Sequence, residues 1–227
     1  IAISGGSSFS ASFFEALFRL VQVENPRIVD LYIEKTNHHS GENIMRRYTD
    51  ELSFMSANLM KDFFNYCVPG LQVLSLHGCY LRDEDLDNIG YGLEVNTSLR
   101  RLALSMNIIT DLGLYGLIQS ATKNEKKGNL RDLELGYNLL VCSGSIVELL
   151  HQKIVAQPYW PAEEGRYLTL HFEGNPIPKS RERLFNSFVD QAPDSKRGVR
   201  INFEKASKVT AVWEGEEEVD VFNTGAL

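Results

Sequence analysis

Hydrophobic and polar positions recur along the chain in an unusual rhythm. In the stretch LRRLALSMNII, Leu99, Leu102 and Leu104 are separated by three and then two positions, and Asn107 follows three positions later. An amphipathic helix would show spacings of three and four, and an ordinary half-buried strand would alternate strictly. The stretch therefore does not fit either element alone, and the question is whether it is one copy of a repeat.

The same spacing recurs four more times along the chain. LQVLSLHGCYL and LRDLELGYNLL keep it in full, whereas IVDLYIEKTN and YLTLHFEGNPI are looser copies. One position, which we call the ladder position, holds Asn or Cys in every copy, at intervals of 42, 28, 31 and 37 residues. Five copies in order indicate repeated units, each a short strand followed by a helix. The residues assigned to the ladder position are Asn37, Cys79, Asn107, Asn138 and Asn175.

The repeated unit predicts which side chains are buried and which are structural. Leucines alternate with polar residues in each strand, so that one strand face is buried and the other is exposed. The ladder position lies where the chain turns out of the strand, and its side chain is expected to bond backbone groups of the adjacent turn. Helices are predicted over residues 83–95, 110–123, 145–157 and 179–191.

The pattern continues towards both ends of the chain. Ile3 near the start, and Ile201 and Phe203 near the end, fall in strand positions, so we predict a repeat domain over residues 1–206. Residues 207–227 contain the acidic run EGEEEVD and are predicted to form an acidic cap or tail.

The spacing L-x-x-L-x-L-x-x-N/C-x-L, clearest in NTSLRRLALSMNIITDLG and GNLRDLELGYNLL, resembles the ribonuclease-inhibitor class of leucine-rich repeats. The resemblance covers residues 28–178. It implies an α/β leucine-rich-repeat solenoid, a curved right-handed β–α superhelix with a parallel sheet on the concave face and helices on the convex face. The chain departs from the class at two insertions, near residues 38–53 and 156–166, which are candidate functional loops.

Composition and charge narrow the possible functions. The formal net charge of −7 argues against nucleic-acid binding, which usually needs a basic face. No apolar run reaches the length of about 18 residues expected of a membrane span, and the opening IAISGGSSFS lacks the basic region of a signal peptide. Three cysteines at unrelated spacings favour a reducing compartment over disulfides or zinc. Because the chain starts with Ile1 instead of Met, we expect a fragment or a processed product.

The motifs that suggest chemistry are better interpreted as structure. The turn SGGSSFS matches neither a phosphate-binding loop nor a nucleophile elbow. His38 and His39 are adjacent and do not share a helix face, which disfavours a metal site. A nucleophilic role for Cys79 is disfavoured because the ladder position is expected to be buried. The sequence thus predicts no catalytic residue, no metal and no cofactor, and we expect that the protein is not an enzyme.

Exposed strand positions are the best candidates for a binding site. Counted back from the ladder position, positions −6, −4 and −2 are predicted to project from the concave face. Acidic residues outnumber arginines there by six to two, which favours docking of a basic segment of a partner protein. The alternative is a face that is merely solvated. The predicted partner-binding residues are Asp30, Tyr32, Glu34, His77, Arg101, Asp132, Glu134, His171 and Glu173. Met106, Tyr137 and Trp160 are predicted to form an apolar rim beside the ladder.

The resemblance implies a protein-interaction module, a scaffold or adaptor, because such solenoids offer an extended surface without a catalytic group. Similar repeats occur in tropomodulin, in ciliary regulatory proteins, in the Ran GTPase-activating protein and in innate-immune receptors. We expect a cytoplasmic protein of a cytoskeletal or ciliary assembly, monomeric on its own, that binds another protein and neither nucleic acid nor membrane. The alternative is a GTPase regulator of the Ran GTPase-activating class, which also carries an acidic region after its repeats.

Overall fold

The computed structural model describes residues 2–4, 16, 17, 19, 20, 29–34, 70–79, 81–123, 129–153, 167–191 and 198–203. Within them, seven strands form one parallel sheet in chain order. The strands are β1 (Ala2–Ser4), β2 (Asp30–Glu34), β3 (Val73–His77), β4 (Arg101–Ala103), β5 (Asp132–Glu134), β6 (Tyr167–His171) and β7 (Gly198–Asn202). Helices follow four of them: α1 (Asp83–Leu93), α2 (Asp111–Lys123), α3 (Gly144–His151) and α4 (Lys179–Gln191). The chain is therefore an α/β protein with a parallel sheet, as the repeated units predict.

Equivalent positions of successive repeats pair with one another in the sheet. Leu102 in β4 lies opposite Leu74 in β3 and opposite Leu133 in β5. At the far end, Ile201 lies opposite Leu170, which confirms that the VRINF segment continues the strand pattern. Because each strand buries one face, a slip of one residue would expose the leucines, and the apolar pattern fixes the register.

The assignment of Asn37 to the ladder position lies outside the described residues and stays a prediction. In β2, Ile33 pairs with Leu76, which stands three positions before Cys79, whereas Asn37 stands four positions after Ile33. The insertions near 38–53 and 156–166, the acidic segment 207–227 and Trp160 also lie outside the described residues.

The core lies between the sheet and the helices. Leu102, Leu104, Leu133 and Leu135 are all fully buried, as the alternation predicts. The helices turn apolar residues at helical spacing towards them. Buried helix residues that complete this core include Leu86, Ile89, Leu114, Leu117, Ile118, Ile146, Leu150, Phe185 and Phe188.

Three of the four helices have bounds within two residues of those predicted, whereas α3 spans Gly144–His151 instead of 145–157, with residues 154–157 outside the described residues. The helix α4 spans the predicted residues 179–191, and α2 begins one residue later than predicted, at Asp111. The helix α1 ends at Leu93, where a turn begins that includes a 3.3 Å bond from the Val95 N–H to the Gly92 carbonyl. Such shifts of one or two residues are usual at helix ends.

Two aspartates at the starts of helices connect neighbouring repeats. Asp83 accepts hydrogen bonds from the backbone N–H and the hydroxyl of Thr110, at 2.8 and 2.6 Å. Asp111 accepts bonds from three successive backbone N–H groups, of residues 141–143, at 2.6–3.1 Å. Both carboxylates thereby satisfy the backbone where the next helix is about to begin. This role was not predicted from the sequence, although each aspartate stands four residues after a ladder position.

Candidate docking surface

The sheet face opposite the helices, which we call the open face, carries strand positions −6, −4 and −2. The register brings these positions into rows, so that Ser75, Ala103 and Glu134 are successive neighbours in one row. Asp30 and Tyr32 on β2 are half-buried, and Glu34 pairs with His77 in the register. Open-face residues of the middle strands and the turns that follow them are Val73, Ser75, His77, Arg101, Ala103, Ser105, Asp132, Glu134, Gly136, Thr169, His171 and Glu173.

Two of the predicted partner-binding residues bind each other. Arg101 donates from Nε to Oε1 of Glu134 at 2.6 Å, and its Nη2 contacts the same oxygen. The pair runs diagonally from position −6 of β4 to position −4 of β5. An ion pair that is partly exposed contributes at most about 1 kcal/mol to stability, but it neutralises the carboxylate. Glu134 therefore adds less negative charge to the open face than its sequence position suggests.

Ala103 departs from the expected exposure of the open face. It is only 6% exposed, although it occupies position −4 on the solvent side of the sheet. Its methyl group is short, and the Arg101–Glu134 ion pair extends past it from the same strand and the next. The sequence period predicts the face of a side chain, but the size of its neighbours decides how much water reaches it.

A histidine on β6 and an aspartate on β5 lie close together on the open face. Nε2 of His171 is 3.5 Å from Oδ1 of Asp132. This contact raises the pKa of His171 above its ordinary value of 6.5, against the opposing effect of burial, and the charges of Glu134 and Glu173 act in the same direction as Asp132. The open face therefore contains, in His171, a group that changes its charge near neutral pH.

We expect the free energy of unfolding to fall as the pH rises above 6.5. Because the pKa of His171 is higher in the folded than in the unfolded chain, protonation stabilises the fold. This contribution is complete below pH 6.5 and is lost as the pH passes the raised pKa. Urea unfolding between about pH 5 and pH 8 should show a smaller decline for His171→Gln than for the wild type. Parallel pH profiles of the two proteins would contradict this assignment.

The ladder asparagines connect each repeat to the one before it. Nδ2 of Asn138 donates to the carbonyls of Leu104 and Leu135, at 3.0 and 2.9 Å. Its Oδ1 accepts bonds from the backbone N–H groups of Asn107 and Ile109, at 3.1 and 3.2 Å. The ladder residues of the flanking repeats make corresponding bonds. The amide of Asn138 thus bonds backbone groups in two successive turns, beyond the ends of the strands.

The described cysteines are buried thiols. Sγ of Cys79 lies 3.4 Å from the carbonyl oxygen of Ile33 and 3.6 Å from that of His77, so the thiol replaces the donor side of the ladder amide. Burial, with a smaller effect from the charge of Asp111, raises the pKa of Cys142 to about 12. Cys142 therefore stays protonated at neutral pH, and a protonated thiol is a poor nucleophile.

The described part of the chain offers neither a metal-binding cluster nor a membrane-spanning helix. There, His, Cys, Asp and Glu side chains form no group of three or more that could hold a metal ion. Over the same residues, no helix has the length and apolar character needed to cross a membrane. Among the described open-face side chains, Arg101 pairs with Glu134 and His171 lies beside Asp132.

The apolar rim beside the ladder has an unusual backbone. Met106 and Tyr137, which directly precede two ladder asparagines, have φ angles of 58° and 55°. Gly78 and Gly174 fill the same position in the flanking repeats and have similar angles. Met106 and Tyr137 are 55% and 46% exposed. The structure therefore holds two large side chains at the surface in a conformation that favours glycine.

Fold and open face together define an α/β protein whose single parallel sheet is built from repeated strand–helix units. No protein-family model matches the chain, and no curated protein matches it either. A solved structure of Leiomodin-1 Actin-Binding Site 2 (ABS2) is similar in fold, with a TM-score of 0.52. The match covers 84% of this chain and 92% of that chain at 14% sequence identity, so the likeness concerns the fold alone.

Proposed function

We propose that the protein is a leucine-rich-repeat solenoid that binds another protein through the open face of its sheet. In this proposal the sheet curves into a right-handed superhelix, with the open face on its concave side and the helices on its convex side. The protein is a scaffold or adaptor of a cytoskeletal assembly in the cytoplasm. It acts as a monomer, without a cofactor or metal, and is not an enzyme.

The continuity of the open face across β3, β4, β5 and β6 carries this proposal. Position −6 of these strands holds Val73, Arg101, Asp132 and Thr169, aligned in the register. Neighbouring strands are about 4.8 Å apart, so that four strands span about 14 Å, the length of about four residues of extended chain. A row of this length supports contact with a segment of a partner protein.

Charge on the open face favours a basic partner segment. Arg101 neutralises Glu134, but the side chain of Asp132 remains 45% exposed beside His171. Oε2 of Glu173, at the end of the same face, has no hydrogen-bond partner among the described residues. Opposite charges on two surfaces speed their encounter and select against wrong partners. The similar solved structure is named an actin-binding site, which supports actin as the first partner to test.

Reversing the charge of Asp132 should weaken partner binding without unfolding the protein. We expect Asp132→Lys to slow association with the partner several-fold and to reduce its dependence on salt. Binding would be measured by co-sedimentation with filamentous actin and by capture from cytoskeletal extract, with captured proteins identified by mass spectrometry. Asp87→Lys is the matched control, because Asp87 is exposed on α1, away from the open face. Reversing Glu134 would be less clean, since it would break the ion pair with Arg101 at 2.6 Å, a closer contact than that of Asp132 with His171 at 3.5 Å.

Four outcomes would contradict parts of this proposal. Equal binding by Asp132→Lys and Asp87→Lys would move the binding site off the open face, and loss of binding on altering residues 38–53 or 156–166 would place it in the insertions. Turnover of a nucleotide or ester by the purified chain would show that the protein is an enzyme. Faster GTP hydrolysis by Ran in its presence would favour the GTPase-regulator alternative.

A further inference from the structure

Tyr137 and Glu173 interlock across two neighbouring repeats at the edge of the open face. The backbone N–H of Tyr137 donates to the carbonyl of Glu173 at 2.8 Å. The Glu173 carboxylate lies over Gly136, where any Cβ would overlap it, and the Tyr137 ring lies over Gly174 in the same way. Each glycine makes room for a side chain of the other repeat. We call Gly136, Tyr137, Glu173 and Gly174 the notch.

The fold alone does not account for the tyrosine in the notch. At a φ of 55° a tyrosine is strained, as Met106 is at 58° in the preceding repeat, whereas Gly78 two repeats earlier and Gly174 one repeat later adopt the same conformation freely. The ring is also 46% exposed, so that it contributes little to the core. Strain retained at an exposed position is a sign of function when nothing in the packing requires it.

The carboxylate in the notch has unused bonding capacity. Oε2 of Glu173 is inaccessible to water and has no hydrogen-bond partner among the described residues. A buried acceptor without a donor is costly, and because the Glu173 side chain is itself only half-buried, a turn of its carboxylate brings Oε2 to the surface, where a cation that donates to it removes the cost. Asp132 adds negative charge on the neighbouring strand, while Arg101 is engaged with Glu134 two strands from Glu173.

We propose that the notch binds an arginine side chain of the partner segment. The guanidinium stacks on the exposed ring of Tyr137 and donates hydrogen bonds to the carboxylate of Glu173. Arginine suits both contacts because its cation is planar and its donors form a fixed fork, whereas lysine supplies only the charge. Leu139 is exposed in the same turn as Tyr137, and Met106 is exposed in the turn of the preceding repeat. Together they receive an apolar side chain next to the arginine. This inference rests on the proposed function and names the residue that the open face recognises.

A displayed library of random peptides, selected on the full chain, tests the proposal. We expect the selected peptides to share an arginine flanked by an apolar residue. Fluorescence anisotropy with one selected peptide should show binding about tenfold weaker for Tyr137→Gly and for Glu173→Gln. Tyr137→Phe keeps the ring and should bind as the wild type does. In the peptide, citrulline in place of arginine should abolish binding, and lysine should weaken it several-fold.

Variants in the notch should fold normally, which keeps the test informative. Tyr137→Gly places glycine where the backbone favours it, and thermal unfolding should show no large loss of stability. Gly136→Ala retains every charge of the notch. It displaces the Glu173 carboxylate, because the added methyl group would overlap it. It should weaken peptide binding as Glu173→Gln does.

The outcomes separate the notch from the proposed function. Peptides whose binding falls with Asp132→Lys but not with Tyr137→Gly or Glu173→Gln would overturn the notch and leave the open-face function standing. Selected peptides without arginine would also overturn it. If no peptide is selected, and neither actin nor an extract protein binds, both proposals fail.

Discussion

Replacing Leu104 with alanine should lower the free energy of unfolding by about 2–5 kcal/mol. Leu104 is fully buried in a core that runs without interruption from repeat to repeat. Its backbone is also fixed, since its N–H donates to the carbonyl of Glu134 at 2.7 Å. Closely packed neighbours held in this way cannot move into the space left by the leucine, and the cavity remains.

Urea denaturation followed by circular dichroism would measure this loss. Leu112→Ala is the matched control, because it makes the same chemical change at a residue that is 74% exposed on α2. We expect the control to change the free energy of unfolding by about 0.5 kcal/mol or less. Similar losses for the two variants would show that Leu104 is not part of the core.

Replacing Asn138 with alanine should cost about 1–3 kcal/mol of stability, towards the upper end of this range. The change leaves the N–H groups of Asn107 and Ile109 without their acceptor. It also leaves the carbonyls of Leu104 and Leu135 with one donor fewer. These groups lie in turns that water cannot easily enter, so in the folded variant water does not replace the hydrogen bonds that the amide made.

Two further variants sharpen this test of the ladder. Asn138→Cys copies the residue found at Cys79 and keeps a weak donor, so it should cost less than alanine. Asn88→Ala removes one exposed bond to the Glu84 carbonyl and should change stability little. If Asn138→Ala melts like the wild type but no longer binds the partner, the residue belongs to the binding site and not to the ladder.

The spacing of apolar residues was sufficient to predict the α/β order and the burial of individual leucines. Leu102 and Leu133 fall on the buried face because a strand alternates its side chains strictly. The pairing of Ile33 with Leu76 likewise follows the apolar residues.

The contacts on the open face were less predictable. The diagonal pair of Arg101 and Glu134 depends on which way two flexible side chains lean across neighbouring strands, which a spacing does not specify. The left-handed backbone at Tyr137 has no signal in the residue itself, since tyrosine does not favour it. Its signal lies in the comparison between repeats, where Gly78 and Gly174 occupy the equivalent positions.

The amide bonds along the ladder give the array a polarity. If the repeat that contains Asn175 unravels, the backbone N–H groups of Asn138 and Leu140 lose their acceptor inside a turn. If the preceding repeat unravels instead, the ladder bonds lost by Asn175 are those of its side chain, which can rotate towards water. Through the ladder bonds alone, fraying therefore spreads more easily from late repeats to early ones. Each later repeat therefore slows the hydrogen exchange of the backbone N–H groups that its ladder residue accepts from the repeat before it.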